Sequence, residues 1–192
     1  MKKQVKELTI NEISINKSKF ITYIFPVSSL EEIKEKLYQF KEEYKDATHI
    51  CYSYILDENT FKYYDDGEPS STAGAPIYQV LKGHNLIYSM CVVIRYFGGV
   101  KLGVGGLVRA YSNSCIEVLK KSIIIDYQKL DNYLIIVDYS HFSKLEYFLH
   151  TNNIEITNKE FKEKVSIYIK TNKKNLKLLK DSFSNIISVK EL

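Results

Sequence analysis

Cysteine is scarce in this sequence and forms no recognisable framework. The three cysteines, Cys51, Cys91 and Cys115, are an odd number at wide spacing, and no CxxC pair is present. This pattern argues against a disulfide-stapled fold and against a zinc site built from paired cysteines. We therefore expect three buried free thiols.

Long apolar segments are also missing. The opening segment, MKKQVKELTI, has basic residues, but no apolar run follows them as it would in a signal peptide. The longest apolar stretch, residues 86–94, is too short to span a bilayer. We expect a cytoplasmic protein with no membrane partner.

Glycine and proline are absent from the last third of the chain. All eight glycines and all three prolines precede residue 127, which predicts two domains, at residues 1–126 and 127–192. In the second domain, apolar patterns predict strands at 130–139, 154–161, 164–170 and 186–192, with one helix after the first strand and another before the last. The order β-α-β-β-α-β is that of a ferredoxin-like domain.

The first domain is predicted to be α+β, with a sheet of four or more strands. Residues 17–27 and 48–56 have strand patterns, and residues 61–67 are predicted to be a hairpin partner. Helices are predicted after Ser28 or Ser29, which can act as the N-cap, and in the segment APIYQVLKG. Residues 87–97 are almost continuously apolar, which predicts a central strand buried on both faces.

Most of the glycine lies in one loop, RYFGGVKLGVGG at residues 95–106, between this strand and a predicted helix. Its glycines are Gly98, Gly99, Gly103, Gly105 and Gly106. Free amides and the positive end of a helix dipole meet at such a junction, and Arg95, Lys101 and Arg109 add positive charge. The loop matches neither GxxxxGK[ST] nor GxGxxG. We predict contact with phosphate or an RNA backbone; the alternative is that the glycines serve close packing in a strained turn.

A second polar segment, DDGEPSSTAGAP at residues 65–76, precedes the loop. Its three carboxylates are suited to acid–base chemistry or to holding Mg²⁺. The alternative is an Asp-Gly turn with local amide bonds, followed by a helix that starts at residues 69–72. We assign a polar surface beside the glycine loop to six residues: His49, Asp65, Asp66, Glu68, Ser70 and Thr72.

His49, Cys51 and Ser53 share one face of the predicted strand at 48–56. A Cys–His nucleophile needs a thiolate beside a base, whereas neighbours at i and i+2 are usually too far apart for a direct hydrogen bond. A structural histidine or a ligand contact is therefore favoured for His49. No catalytic residue, metal or cofactor is predicted.

The last predicted helix carries Lys173, Lys177 and Lys180 on one face. Such a stripe is either an RNA-binding face or a solvated one. The net charge is +4, to which residues 127–192 contribute +3 (11 basic and 8 acidic residues). This mild excess permits nucleic-acid binding without requiring it.

Together, DDGEPSSTAGAP and RYFGGVKLGVGGLVRAY resemble the motifs of the IMPACT/YigZ family. The segment KSKF at residues 17–20 and the His49-x-Cys51 strand also fit, and the resemblance covers the whole chain. It implies a first domain similar to the second domain of ribosomal protein S5, and a second domain similar to the C-terminal domain of elongation factor G. Two positions depart from the family pattern: Ser71, where Gly is usual, and Ser53, where Ala is usual.

The resemblance implies a link to translation, because eukaryotic IMPACT is a translational regulator. The leading prediction is a non-enzymatic cytoplasmic protein that binds RNA or the ribosome. Two alternatives stay open. One is a protein-interaction module that regulates translation or a stress response. The other is an enzyme that acts on a phosphorylated or peptide-like substrate through the carboxylates and His49.

Overall fold

The computed structural model describes all 192 residues and divides the chain into two units, Met1–Tyr127 and Gln128–Leu192. Both units combine helices with antiparallel sheets, so the α+β class predicted from the sequence is confirmed. None of the helices has both the length and the apolar composition needed to cross a membrane.

The first unit contains seven strands and three helices. In chain order they are β1 (Lys3–Val5), β2 (Thr9–Ile15), β3 (Ser18–Pro26), α1 (Leu30–Glu43), β4 (His49–Ile55), β5 (Phe61–Tyr64), α2 (Gly74–Gly83), β6 (Ser89–Tyr96), α3 (Gly103–Lys121) and β7 (Ile124–Asp126). Five of the strands form an antiparallel sheet in the order β2-β3-β6-β4-β5, while β1 pairs with β7. The apolar strand predicted at residues 87–97 is β6, at the centre of the sheet.

The sheet of the first unit has a hydrophobic core on each face. Alternate side chains of β6 enter different cores: Cys91 and Val93 pack with α2 and α3, whereas Val92 and Ile94 pack with α1. This explains why β6 is apolar almost throughout, since a strand covered on both faces has no solvent side.

Local signals explain where the helices of the first unit begin. The Ser29 hydroxyl accepts a hydrogen bond from the Glu32 amide, as predicted for the N-cap of α1. The helix start predicted at residues 69–72 is wrong, because α2 begins only at Gly74. Ser71 has φ +61°, a left-handed conformation that is incompatible with a right-handed helix.

The strands β2 and β3 form a hairpin that the sequence analysis did not predict. Its two turn residues, Asn16 and Lys17, have φ +46° and +67°. Positive φ at both central residues is typical of a two-residue type I′ turn. The hairpin brings this turn close to the glycine loop.

The second unit contains β8 (Asp131–Val137), α4 (Tyr139–Thr151), β9 (Glu155–Phe161), β10 (Val165–Thr171), α5 (Lys173–Ser182) and β11 (Ile187–Glu191). The order β-α-β-β-α-β is the one predicted. Its antiparallel strands lie in the order β11-β8-β10-β9, so each helix connects strands that are not neighbours, as in a split βαβ unit. Leu145, Leu149 and Leu179 of the two helices pack into its core.

Candidate functional site

The two motif segments meet at a cleft of about 450 Å³ in the first unit. Strand β4 contributes His49, the segment before α2 contributes Glu68, and the glycine loop contributes Phe97 and Lys101. Gly103, at the start of α3, completes one side. A volume of this size suits a small ligand or part of a larger one.

The inner end of the cleft is a buried ion pair. Arg95 Nη1 donates to Glu68 Oε1 at 2.6 Å, and the two residues are 4% and 8% exposed. Tyr111 donates its hydroxyl proton to the same carboxylate oxygen at 2.7 Å, and Arg95 Nη2 donates to Ser18 Oγ at 3.3 Å. The charge of Arg95 is neutralised by Glu68, so the direct phosphate contact expected for Arg95 is corrected: it supports the cleft from inside.

His49 is held in one orientation at the cleft wall. Its Nδ1 lies 2.8 Å from the backbone carbonyl oxygen of Asp66. A carbonyl oxygen only accepts, so Nδ1 carries the proton and Nε2 is an acceptor when the ring is neutral. Nε2 lies 3.7 Å from Glu68 Oε2.

The other two carboxylates of DDGEPSSTAGAP bind backbone amides. Asp65 accepts from the amides of Ser71, Ala73 and Gly74 at 2.8–3.0 Å and so caps the start of α2. Asp66 accepts from the Ile50 amide at 2.7 Å. The geometry supports the turn-and-cap interpretation for these two residues, and leaves only Glu68 and His49 for the enzymatic alternative. No group of three or more His, Cys, Asp or Glu side chains is placed to hold a metal ion.

Ser70 and Thr72, the remaining residues of the predicted polar surface, differ in their exposure to solvent. Ser70 is exposed. Thr72 is 2% exposed and donates its hydroxyl to the Pro69 carbonyl at 2.6 Å. The surface position expected for Thr72 is therefore corrected: its hydroxyl stabilises the turn.

The five glycines of the loop have different roles. A Cβ on Gly98 would lie 1.9 Å from the Lys17 carbonyl oxygen in the β2–β3 turn, so only glycine allows this approach. The Gly98 amide also donates to Ser18 Oγ at 3.3 Å. Gly99 and Gly103 have φ +86° and +70°, whereas a Cβ on Gly105 or Gly106 would meet only side-chain atoms, at 3.6 and 3.0 Å. Close packing thus explains Gly98, and backbone conformation explains Gly99 and Gly103.

No side chain caps or neutralises the positively polarised start of α3. Its N-cap residue, Leu102, makes no side-chain hydrogen bond to the helix, and the first turn has no acidic residue. Lys101 is exposed, has no ion-pair partner and lines the cleft at this point. Arg109, which the sequence analysis grouped with Lys101, lines a separate groove with Asn16 and Gly106.

Cys51 does not have the environment of a nucleophile. Its thiol is buried and donates to the Asp65 carbonyl at 3.0 Å, with the Tyr111 hydroxyl at 3.4 Å. Burial raises the pKa of Cys51, and the nearby carboxylate of Glu68 also raises it. It makes no hydrogen bond to His49, and Cys91 and Cys115 are buried as well.

Three residues of the site were missed by sequence reasoning: Ser18, Phe97 and Tyr111. Tyr111 is the last residue of the motif RYFGGVKLGVGGLVRAY, but its place on the apolar stripe of α3 gives no sign of a polar contact. A buried tyrosine needs a hydrogen-bond partner for its hydroxyl, and this requirement is the signal that could have identified Tyr111 as part of the site. Phe97 lines the cleft although it is 44% exposed.

The predicted basic face lies on α5 of the second unit. Lys173, Lys177 and Lys180 are all exposed, and none of them forms an ion pair. The spacing therefore gives one solvated, positively charged helix face.

These observations define a two-unit α+β protein with a cleft between two glycine-containing motifs. Residues 16–119 match the family model described as the Impact N-terminal domain, and residues 135–188 match a domain of unknown function, DUF1949. The chain belongs to the IMPACT family.

The relatives match most of the chain. The IMPACT family member YvyE of Bacillus subtilis is 39% identical over 163 residues, which are 84% of this chain and 75% of the relative. An IMPACT family member of Haemophilus influenzae is 31% identical over 191 residues, 96% of this chain and 90% of the relative. A crystal structure described as that of an hypothetical protein has a TM-score of 0.71 and 25% identity, and covers 100% of this chain and 98% of its own.

Proposed function

We propose that this protein is a cytoplasmic, non-enzymatic RNA- or ribosome-binding protein that modulates translation. The observation that carries the proposal is the open start of α3 beside Lys101, inside a cleft that both family motifs form. Backbone amides at a helix start attract anions, and the two buried charges at the inner end of the cleft, on Arg95 and Glu68, neutralise each other.

The charge distribution supports a phosphate ligand at the cleft mouth. Lys101 has no acidic partner, and the first turn of α3 has no carboxylate that would repel an anion. Arg109 presents a second positive charge from the next groove along α3. The exposed face of Lys173, Lys177 and Lys180 gives the second unit a further basic surface. Contacts of this kind are insensitive to sequence and depend on salt.

The role in translation rests on family membership. The motifs resemble those of eukaryotic IMPACT, a translational regulator, and the first unit matches the Impact N-terminal domain. The proposed similarity of the two units to domains of ribosomal protein S5 and elongation factor G also points to RNA or the ribosome, although such an argument from fold is weaker than one from the site.

The test is RNA affinity as a function of salt. A fluorescein-labelled RNA of about ten nucleotides, a common site size for single-strand binders, is titrated at about 50 mM and about 200 mM salt. Fluorescence anisotropy is compared for the wild type, Lys101→Ala and Arg109→Ala. Lys41→Ala is the matched control, because Lys41 is an exposed lysine of α1 without an ion pair.

We expect affinity to fall as salt rises. Lys101→Ala should weaken binding and reduce the slope of log affinity against log salt concentration by about one. Arg109→Ala is expected to have a smaller effect in the same direction, and Lys41→Ala none. If neither salt nor the two site variants change binding, the cleft does not bind RNA and the proposal is wrong.

A protein partner is the second candidate function. Three apolar side chains at the cleft and its loop are exposed: Phe97, Val100 and Val104. Exposed apolar groups that lie together often mark an interaction site. A partner that stays bound after nuclease treatment, and is lost on Val104→Asp, would favour this candidate over RNA.

A further inference from the structure

The cleft has more apolar wall than a phosphate site requires. Phe97, Leu102, Val104 and Leu107 line it together with Pro69. A phosphate needs only amides and positive charge, which Lys101 and the start of α3 provide at one side. The rest of the cleft is suited to a flat or apolar group attached to the phosphate, since small-ligand sites combine apolar walls with a few placed polar groups.

Glu68 and Arg95, at the inner end of the cleft, each have one polar atom without a hydrogen bond: Glu68 Oε2 and the enclosed Arg95 Nε. Glu68 Oε1 accepts from Arg95 and Tyr111, but Oε2 has only His49 Nε2 at 3.7 Å, beyond hydrogen-bond distance. The Glu68 side chain is 3% exposed, but Oε2 is not one of the fully enclosed polar atoms, so this oxygen is open to the cleft.

When His49 is neutral, the two facing atoms are both acceptors, and a donor group of a ligand can bind to either. His49 Nδ1 is committed to the Asp66 carbonyl, so neutral His49 presents a lone pair at Nε2, and ionised Glu68 presents lone pairs at Oε2. Neither atom can donate to the other in these states. A ligand N–H group that reaches Oε2 supplies the missing hydrogen bond, and carboxylates recognise amino groups of bases in this way.

Phe97 offers a surface for a ring. It is 44% exposed and lines the cleft. Its backbone is fixed, because its amide donates to Thr48 Oγ1 at 2.9 Å. Its ring centre lies 5.6 Å from the Arg95 guanidinium carbon, which steadies the ring from inside. An aromatic ring held at the mouth of a cleft is the usual platform for an unpaired base.

We propose that the cleft holds one unpaired nucleotide of the bound RNA. Its base packs against Phe97 and donates an N–H to Glu68 Oε2, and its phosphate lies at Lys101 and the first amides of α3. This inference rests on the proposed RNA-binding function and specifies which form of RNA the site accepts.

The first experiment compares single-stranded with paired RNA. The labelled RNA of about ten nucleotides is titrated alone and as a blunt duplex with its complement. The proteins are the wild type, Phe97→Leu and Phe97→Tyr. Tyr38→Leu is the control for loss of an exposed aromatic ring, because Tyr38 is 67% exposed on α1.

We expect the single strand to bind at least about tenfold more tightly than the duplex, which is the effect of stacking one base. Phe97→Leu removes this preference, Phe97→Tyr retains it, and Tyr38→Leu has no effect. If duplex and single strand bind equally and Phe97→Leu changes neither, the inference is wrong. Salt-dependent binding that is still weakened by Lys101→Ala would then leave the proposed function standing. If no RNA binds, both are wrong.

The second experiment tests the Glu68 contact with free nucleotides. AMP is compared with purine riboside 5′-monophosphate, which lacks the amino group, and with ribose 5-phosphate, which lacks the base, as competitors of the labelled RNA. We expect AMP to compete best and ribose 5-phosphate to compete least. Equal competition by AMP and ribose 5-phosphate would overturn the base pocket, and equal competition by the two purine nucleotides would overturn the hydrogen bond to Glu68.

Discussion

Arg95 on β6 and Glu68 in the turn before α2 form an ion pair at 2.6 Å with almost no exposure to solvent. Glu68→Ala would leave the guanidinium buried without its countercharge. We expect a loss of about 3–5 kcal/mol in the free energy of unfolding, measured by urea denaturation at neutral pH.

Tyr111→Phe is the graded comparison for this ion pair. It removes one hydrogen bond to Glu68 Oε1 and leaves the ion pair in place, so we expect a loss of about 1 kcal/mol. If Glu68→Ala were as stable as Tyr111→Phe, or more stable, the Arg95–Glu68 ion pair would not be the main polar contact in this core.

Gly98→Ala should disrupt the contact between the glycine loop and the β2–β3 turn. The added Cβ would lie 1.9 Å from the Lys17 carbonyl oxygen, and backbone atoms must move to accommodate it. We expect a loss of about 1–3 kcal/mol or more. Gly83→Ala is the matched control: nothing lies within 4 Å of its added Cβ at the end of α2, and we expect a gain of about 0.5–1 kcal/mol. Equal effects of the two variants on thermal unfolding would refute the role given to Gly98.

Ser71→Gly is expected to stabilise the protein. Ser71 has φ +61°, a conformation that costs an L-residue about 1–2 kcal/mol and glycine little. The greater freedom of glycine in the unfolded chain offsets about 0.5–1 kcal/mol, so we expect a net gain of between zero and about 1.5 kcal/mol. Ser70→Gly, at the exposed neighbour without positive φ, should be neutral or destabilising. The denaturation midpoint of Ser71→Gly should be higher than that of Ser70→Gly, and a midpoint for Ser71→Gly below that of the wild type would count against the argument.

The three thiols should be unreactive in the folded protein. All are buried, and burial raises the pKa of Cys51, so it stays protonated at pH values near the ordinary thiol pKa of about 8.5. Titration with Ellman's reagent at that pH should detect no thiol in the native protein and all three after unfolding in guanidinium. Rapid modification of one thiol in the native state, absent from a Cys51→Ser variant, would restore Cys51 as a candidate nucleophile.

The sequence predicted those elements whose signals are local. The apolar run of β6 and the alternating strands and helices of the second unit follow from side-chain periodicity alone. The strand β2 was missed because it lies at the edge of the sheet and most of its side chains are at least partly exposed. Its apolar pattern is correspondingly weak.

The sequence predicted the two motifs of the site but not the contacts between their side chains. Spacing in the sequence does not reveal that His49 and Arg95 are directly opposite in the β4–β6 register. Nor does it reveal that the turn after β5 brings Glu68 to both. For that reason Arg95 was predicted to contact a ligand, whereas its partner is Glu68. Likewise, Asp65 was predicted to lie on a polar surface, whereas it caps α2.

The hydrogen bond from the Gly98 amide to Ser18 joins residues 80 positions apart. During synthesis, Ser18 leaves the ribosome long before Gly98 is made, and Tyr111 of α3 follows later still. A nascent chain that ends before α3 therefore has no cleft, whatever part of the sheet has already formed. Any activity that depends on the cleft begins only after the first unit has been synthesised, so the protein cannot use it on the ribosome that is still making that unit.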